Sequence, residues 1–336
     1  MDLSPGLPPL ALIAGPTASG KSELAVRLAQ RMAKHGRRAI VVNADSAQVY
    51  ADLKVLSARP TIAEMEGVEH RLYGAWDGGT PCSAADWASK ARAEIEAIHA
   101  ADALPILCGG TGLYLRVLLD GIAPVPQVDP IVRVNVRAFN TLDLRSHLER
   151  EDPQAAMLIG PRDMVRMQRA LEVVRSTGKS LSAWQREKRG GIGHTVQLYP
   201  CLLLPDRQWL YDRCNRRFAW MLDNGAIEEV RALQSRGLAN DLPVMRAIGV
   251  PEITSYLASA KPDMATLLQS GQQATRNYAK RQYTWFRNQP PANWPRVATQ
   301  DEALAEFEQL GLLSTLMPLA GENAKTTTAR QKGPAA

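Results

Sequence analysis

The sequence is poor in cysteine and has no long apolar run. Its four cysteines are far apart, form no CxxC pair and have no histidine at ligand spacing: Cys82, Cys108, Cys201 and Cys214. This distribution argues against a disulfide framework and a structural zinc site, and favours a reducing, cytoplasmic location. No stretch approaches the roughly 18 consecutive apolar residues of a membrane helix, so we expect no membrane association. The first ten residues hold three prolines and no basic cluster, which is not typical of a signal peptide.

Composition indicates a folded protein whose positive charge is concentrated in one segment. The length allows about two domains. With 45% hydrophobic and 22% charged residues, the chain is neither wholly disordered nor collagen-like. Residues 131–190 hold twelve Lys and Arg against seven acids, an excess close to the whole net charge of +6. Arginine dominates this segment and suits bidentate phosphate contacts, although a solvated basic face gives the same pattern.

Short apolar runs alternate with helical patterns through the first third of the chain. We predict strands at 10–14, 39–42 and 104–108, and helices at 22–33, 83–101 and 113–119. Strands that alternate with helices indicate a parallel sheet with helices on both faces. The predicted fold class is therefore α/β, with a P-loop NTPase-like parallel sheet flanked by helices.

The pattern changes after Gly121, where several prolines mark a linker. An arginine-rich, mostly helical segment follows, and a strand pattern returns at 196–204. We therefore predict a first part of the α/β core at 1–123, an inserted, mostly helical basic domain at 124–192, a second part of the core with a helical C-terminal region at 193–316, and a disordered tail at 317–336.

A phosphate-binding loop follows the first predicted strand. The sequence GPTASGKS matches the pattern GxxxxGK[ST] with Gly15, Pro16, Thr17, Ala18, Ser19, Gly20, Lys21 and Ser22. Glycines let backbone N–H groups approach phosphate oxygens, Lys21 adds a positive charge, and the Ser22 hydroxyl suits Mg²⁺. A purely structural glycine turn would leave Lys21 unexplained. We therefore expect this loop to bind a diphosphate or nucleotide.

Asp45 follows the second predicted strand. Nucleotide hydrolysis normally needs an aspartate at the end of a neighbouring strand, and the strand at 104–108 ends in glycines instead. The carboxyl ends of parallel strands meet at one crevice, so Asp45, Ser46, Lys21 and Thr111 are expected to face a shared site. There Asp45 would be a metal partner or a general base; the alternative is that it only caps the next helix.

Further basic and glycine-rich elements complement the P-loop. Residues 109–112, GGTG, form a second helix-start anion site, which suggests that one diphosphate is held from two sides. Arg213 and Arg217, four residues apart on a predicted helix, are placed to reach the same diphosphate.

Two helical patterns suit nucleic acid. Arg162, Arg166 and Arg169 have spacings of four and three, which would put them on one helical face suited to a phosphate backbone. In residues 276–287 aromatic and basic residues interleave, as in base-stacking surfaces. An ordinary surface helix and a half-buried amphipathic helix give the same two patterns.

Six motifs together resemble the tRNA dimethylallyltransferase family, also called tRNA isopentenyltransferases or IPP transferases. The resemblance extends from about residue 10 to residue 285. Its motifs, in the family's order, are GPTASGKS (15–22), DSAQVY (45–50), GGTGLY (109–114), RDMVRMQRALEVVRSTGK (162–179), MRAIGVPE (245–252) and ATRNYAKRQYTWFR (274–287).

The resemblance implies a reaction, a cofactor and a partner. The family transfers a dimethylallyl group from dimethylallyl diphosphate to N6 of adenosine 37, beside the anticodon, in tRNAs that read codons starting with U. The products are N6-(dimethylallyl)adenosine and diphosphate, and Mg²⁺ is the cofactor. The inserted basic domain would bind the tRNA anticodon stem-loop, the P-loop would hold the prenyl diphosphate, and the protein would be a monomer.

The resemblance also implies roles for single residues. Asp45 would accept the N6 proton, Thr111 would lie near the reacting centre, and Ser22 would contact the metal. Contacts with tRNA would come from Asp45, Ser46, Ala47, Gln48, Thr111, Arg133, Val165, Arg166, Met167, Gln168, Arg169, Arg246, Ala247, Ile248, Gly249, Val250 and Pro251. Val250 and Pro251 depart from the family pattern, which places an aromatic or polar residue and a basic residue there.

Two other classes of function remain open at this point. A P-loop small-molecule kinase shares the sheet and Lys21, but leaves the inserted basic segment without a purpose. A non-catalytic RNA-binding module explains that segment, but leaves Asp45 and the two anion-binding loops unexplained.

Overall fold

The computed structural model of the chain describes residues 6–312. Within them six strands form one sheet in the order β3-β2-β4-β1-β5-β6, with every neighbouring pair parallel. The strands are β1 (Pro9–Ala14), β2 (Ala39–Asn43), β3 (Glu69–Arg71), β4 (Leu104–Gly109), β5 (Gln197–Leu203) and β6 (Arg296–Val297). The predicted parallel α/β fold is confirmed, and the four predicted strands lie within one or two residues of their predicted bounds.

Helices lie on both sides of the sheet and in the segment that follows the prolines. Before the prolines they are α1 (Lys21–Lys34), α2 (Ile62–Met65), α3 (Ala84–Ala100) and α4 (Gly112–Asp120). After them come α5 (Pro130–Arg137), α6 (Thr141–Glu151), α7 (Pro153–Leu158), α8 (Met164–Thr177) and α9 (Leu181–Gln185). The remainder are α10 (Arg207–Asp223), α11 (Ala226–Ser235), α12 (Val250–Ala258), α13 (Met264–Asn288) and α14 (Gln300–Gln309).

The sheet separates two apolar cores. Side chains of β1 alternate between them: Leu10 and Leu12 pack with residues of α3, α4 and α10, whereas Ile13 packs with α1 and α14. Every residue of β2 and β4 is buried, because helices cover both faces. Burial on both faces explains why these strands appear in the sequence as continuous apolar runs.

The helices α5 to α8 enclose a small core of their own. Val136, Leu144, Leu148 and Leu171 are fully buried there. An antiparallel bridge between Ile122 and Arg189 joins the two ends of this segment. The bounds 124–192 for a separate RNA-binding domain stay a prediction, and the predicted tail at 317–336 lies outside the described residues. In the described part of the chain, no helix is long and apolar enough to cross a membrane.

Candidate active site

The P-loop lies between β1 and α1 in a conformation that needs its glycines. A Cβ on Gly15 would lie 2.4 Å from the carbonyl oxygen of Leu203, and Gly20 has a φ of +94° at the start of α1. Ala18 also has a positive φ, 63°, which is uncommon for a residue with a side chain and marks local strain. The buried Ser19 hydroxyl has no hydrogen-bond partner among the described residues. The loop therefore offers polar groups that an anion would satisfy.

Lys21 is buried beside this loop. Its Nζ donates a hydrogen bond to the carbonyl oxygen of Pro16 at 3.3 Å. Burial lowers the pKa of Lys21, while Asp45 and Cys108 oppose that shift. Cys108 is buried as well, and burial raises its pKa to about 11. A bound phosphate would compensate the buried ammonium charge more completely than Asp45 alone.

Two arginines of α10 lie beside the P-loop, and their predicted contact with a diphosphate stays a prediction. Arg217 Nη2 donates a hydrogen bond to the Thr17 hydroxyl, and burial lowers the pKa of this guanidinium. Arg213 lies on the same cavity and stacks on Trp209, with its Cζ 5.1 Å from the ring centre. With Lys21, these side chains place three positive charges on one cavity, an arrangement that suits a diphosphate.

Asp45 follows β2 and is 7% exposed. Its backbone N–H donates to Asn43 Oδ1 at 2.9 Å, and its own Oδ1 accepts from the N–H of Ala47 at 3.0 Å. Residues 46–49 form turns, so the carboxylate caps a turn rather than the helix start considered from the sequence. The hydrogen bonds fix the carboxylate at the C-terminal edge of the sheet.

Thr111, at the start of α4, is hydrogen-bonded to the loop that carries Asp45. Its hydroxyl accepts from the N–H of Ser46 at 2.9 Å and donates to the Ser46 hydroxyl at 3.2 Å. Thr111, which follows β4, is therefore hydrogen-bonded to Ser46, the neighbour of Asp45 after β2.

Two cavities meet at Asp45. The phosphate-side cavity, of about 420 Å³, is polar and is lined by Gly20, Lys21, Ser22 and Arg213, among others. The acceptor-side cavity, of about 250 Å³, is lined by several apolar groups: Tyr50, Leu56, Tyr114, Phe218 and Met221. The residues that line both are Thr17, Asp45, Ser57 and Arg217. The Asp45 carboxylate thus lies where the two cavities meet.

Helix α13 contributes residues that were not assigned to the site from the sequence. Thr275, Tyr278 and Arg281 line the acceptor-side cavity. Burial raises the pKa of Tyr278, while hydrogen bonds with Ser46 and Thr111 oppose the shift. Thr275, Tyr278 and the buried Gln282 are spaced three and four residues apart, which puts them on one helical face. This spacing is the sequence feature from which their place in the site could have been predicted.

The predicted tRNA contacts near the sheet divide into three groups. Those that line the acceptor-side cavity are Asp45, Ser46, Ala47, Arg246, Ala247 and Ile248. Gln48 lies on the phosphate side, where its Nε2 donates to the carbonyl oxygens of Ser57 and Ala58. Gly249 is buried, and Val250 is 1% exposed in the core, whereas Pro251 is exposed. Any RNA contact from Val250 would therefore have to come from its backbone.

The structure does not bring the arginines of the basic segment to either cavity. Instead three guanidiniums surround the carboxylate of Glu172, whose side chain is 4% exposed. Arg137 lies 3.3 Å from it, Arg169 3.9 Å and Arg133 4.0 Å. The buried acid therefore gathers three positive charges on one surface of the small helical core.

The residues of α8 differ in their access to solvent. Val165 is 76% exposed and Arg166 is exposed, Gln168 is half-buried, and the predicted contact Met167 is fully buried in the small core. Arg162 precedes α8 in a turn, because Asp163 caps the helix through its side chain. The prediction that Arg162 shares a helical face with Arg166 was therefore wrong.

Comparisons with known proteins show which family this chain belongs to. The family model described as IPP transferase matches residues 48–289, well over half of the chain. A protein named tRNA dimethylallyltransferase from Erythrobacter litoralis is 61% identical over 294 residues, covering 88% of this chain and 92% of that protein. The chain belongs to the IPP transferase family. The resemblance inferred from the six sequence motifs is thereby confirmed.

Solved structures of the IPP transferase family extend the similarity to the fold. A full-length tRNA isopentenylpyrophosphate transferase from Bacillus halodurans is 32% identical with a TM-score of 0.64, covering 92% of this chain and 96% of that one. A eukaryotic dimethylallyltransferase acting on tRNA has a TM-score of 0.76 at 24% identity, over 95% of this chain and 82% of that one, and supports the fold alone.

Proposed function

We propose that this protein transfers the dimethylallyl group of dimethylallyl diphosphate to N6 of adenosine 37 in tRNAs that read codons starting with U. The observation that carries the proposal is the position of Asp45, where the polar phosphate-side cavity meets the acceptor-side cavity. The names of the relatives support transfer of a dimethylallyl group to tRNA. The kinase alternative finds no support among them.

The donor diphosphate would bind to the P-loop residues 15–22, with Lys21, Arg213 and Arg217 around it. As the bond between the prenyl C1 and the diphosphate oxygen breaks, negative charge accumulates on the leaving group. Fixed positive charges and backbone N–H groups stabilise that charge without reorganisation, which is the main electrostatic contribution to catalysis at such sites. The five-carbon group would extend into the acceptor-side cavity beside the apolar side chains that line it.

The acceptor adenine would enter from the side of Arg246 and Tyr278. A base within a stacked loop has to leave its stack before an enzyme can act on it. Its N6 would attack the prenyl C1, and Asp45 would accept the proton that N6 loses. Thr111 would hold the Asp45 loop through Ser46. The arginines gathered around Glu172 would bind the anticodon stem, whose phosphates provide most of the affinity in such complexes.

Magnesium would arrive with the diphosphate rather than occupy a site made by the protein alone. Across residues 6–312 no group of three or more His, Cys, Asp or Glu is placed to hold a metal. Ser22 and Asp45 do line the same cavity, and Mg²⁺ commonly combines few protein ligands with phosphate oxygens and water. The residues therefore fit such an ion, with Ser22 as a ligand. The ion would neutralise charge on the leaving diphosphate.

A monomer in the cytoplasm would suffice for this reaction. Residues of one chain line both cavities. All four cysteines lie within the described residues and are buried as free thiols, which suits a reducing compartment.

The direct experiment is incubation with labelled dimethylallyl diphosphate and unmodified tRNA, followed by nucleoside analysis. We expect label in N6-(dimethylallyl)adenosine at position 37 and negligible ATP turnover. ATP hydrolysis stimulated by tRNA and lost in Lys21→Ala, without prenyl transfer, would contradict the proposal and favour the kinase.

A further inference from the structure

Gln282 on α13 connects the P-loop after β1, named here the donor loop, to the loop after β4 that contains Gly110 and Thr111, named here the acceptor loop. It is 6% exposed. Its Oε1 accepts the backbone N–H of Thr17 at 2.7 Å, and its Nε2 donates to the carbonyl oxygen of Gly110 at 2.8 Å. One side-chain amide therefore joins the P-loop after β1 to the loop after β4.

An amide is well suited to this position. One partner is a donor and the other an acceptor, so the orientation of the Gln282 amide is fixed by its two hydrogen bonds. The fit is close, because a Cβ on Gly110 would lie 2.3 Å from Gln282 Nε2. The packing leaves no room for a side chain on Gly110 unless the amide moves.

Thr17 is the residue through which the Gln282 amide can affect the bound prenyl diphosphate. Its N–H is taken by Gln282, and its hydroxyl accepts from Arg217. Arg217 and Thr17 both line the two cavities that meet at Asp45. Gln282 thereby fixes the direction from which Arg217 and the P-loop approach the junction between the cavities.

The same helix also reaches the acceptor side. Tyr278, one turn before Gln282, lines the cavity together with Asp45 and Ser46. Gly110, the second partner of Gln282, immediately precedes Thr111, whose hydroxyl holds the Ser46 backbone. The hydrogen bonds of Gln282 therefore meet the donor loop on one side and the acceptor loop on the other.

We propose that Gln282 is a positioning residue that holds the donor loop and the acceptor loop in register. It contacts neither reacting atom and acts through Thr17 and Gly110. This inference deepens the proposed function and rests on it for the kinetic part of the test. Its binding part, the affinity for inorganic diphosphate, does not depend on the reaction.

The test compares Gln282→Met with Gln272→Met. Methionine keeps a similar length but removes both hydrogen bonds. Gln272, also on α13, donates one hydrogen bond to the carbonyl oxygen of Asn215 on α10, and neither residue lines the two cavities. The measurements are kcat and KM for prenyl transfer, the affinity for inorganic diphosphate by calorimetry, the affinity for tRNA, and the midpoint of thermal unfolding.

We expect Gln282→Met to lower kcat about tenfold or more, because small misplacements of reacting groups have large effects on rate. Its affinity for inorganic diphosphate should fall and its affinity for tRNA should stay within twofold. Gln272→Met should keep the wild-type kcat even where its unfolding midpoint falls. Two results would contradict the positioning role. One is a loss of kcat in both variants that is proportional to the fall in the unfolding midpoint. The other is a Gln282→Met variant that keeps both kcat and diphosphate affinity.

A second variant guards against a folding defect in the first. Gly110→Ala displaces the Gln282 amide without removing it, and its Cβ would also lie 3.1 Å from the carbonyl oxygen of Gly15. We expect the same loss of kcat. In the double variant the two effects should not add, because they disturb one contact. Full additivity would contradict the proposal. If the wild-type protein transfers no prenyl group, while Gln282→Met still weakens diphosphate binding, the proposed function fails and the positioning role stands.

Discussion

The backbone N–H of Ser46 donates a hydrogen bond to the hydroxyl of Thr111 at 2.9 Å. This bond joins the loop after β2, which carries Asp45, to the loop after β4. Of these two loops, the one after β2 places a carboxylate, that of Asp45, where the two cavities meet. Thr111 belongs to the other loop and holds the Asp45 loop through Ser46. The loop that carries Asp45 is therefore attached to a residue 66 positions further along the chain.

Thr111→Val and Thr111→Ser test this dependence. Valine keeps the shape of threonine but removes the acceptor for the Ser46 N–H, and a lost hydrogen bond of this kind costs about 1 kcal/mol, or roughly a factor of five to ten in rate if it is fully expressed in the transition state. We expect that loss in kcat for Thr111→Val and near-normal kcat for Thr111→Ser. An equal loss in Thr111→Ser, which keeps the hydroxyl, or near-normal kcat in Thr111→Val, which lacks it, would contradict the role given to this hydrogen bond.

The lowered pKa of Lys21 leads to a prediction of how donor binding depends on pH. Burial holds its pKa below the ordinary lysine value of 10.5, so in the free enzyme the charge is complete at low pH and is lost as pH rises through the lowered value. Only the charged form attracts the diphosphate. We expect kcat/KM for the donor to fall on the alkaline side, at a pH below the range of an exposed lysine.

The control for that prediction is Lys21→Arg, because a guanidinium stays protonated throughout the range. Its overall activity should be lower, since the head group differs in shape, but the alkaline fall should disappear. An unchanged alkaline fall in Lys21→Arg would assign it to another group.

The positive charges of the arginines in the basic segment lead to a prediction of how tRNA binding depends on salt. If Arg133, Arg166 and Arg169 contact phosphates, each change to alanine should reduce the slope of log affinity against log salt by about one unit. Donor affinity should not change. Arg31, which pairs with Glu308 between α1 and α14, provides a matched surface control. Slopes that stay at the wild-type value in all three variants would mean that this surface is only solvated.

The sequence predicted the parts of the fold that depend on local pattern. The buried strands β1, β2 and β4 are continuous apolar runs, and Asp45 was placed in the crevice because it follows one of them. The short strands β3 and β6 were not predicted, since Glu69–Arg71 is polar and half-buried and Arg296–Val297 has two residues. Edge strands of this kind carry little periodic signal.

Long-range contacts account for what was missed in the site. Gln282 lies 265 residues after Thr17. Its helical face could be predicted from the sequence, but the residues that this face contacts could not. The charge count likewise showed the basic segment but not the position of Glu172 among three arginines. Asp163 caps α8, so Arg162 lies before the helix; arginine spacing alone did not show this, because a cap depends on local geometry.

The turnover of Asp45→Asn tests the central claim most directly. Asparagine is nearly isosteric and keeps an oxygen for the Ala47 N–H, so tRNA and donor affinities should stay within severalfold. Formation of N6-(dimethylallyl)adenosine at saturating substrates should fall by roughly 10²–10⁴, the usual contribution of a general base, and should recover as pH rises. Turnover near the wild-type value under ordinary conditions would contradict the account and remove Asp45 from the mechanism.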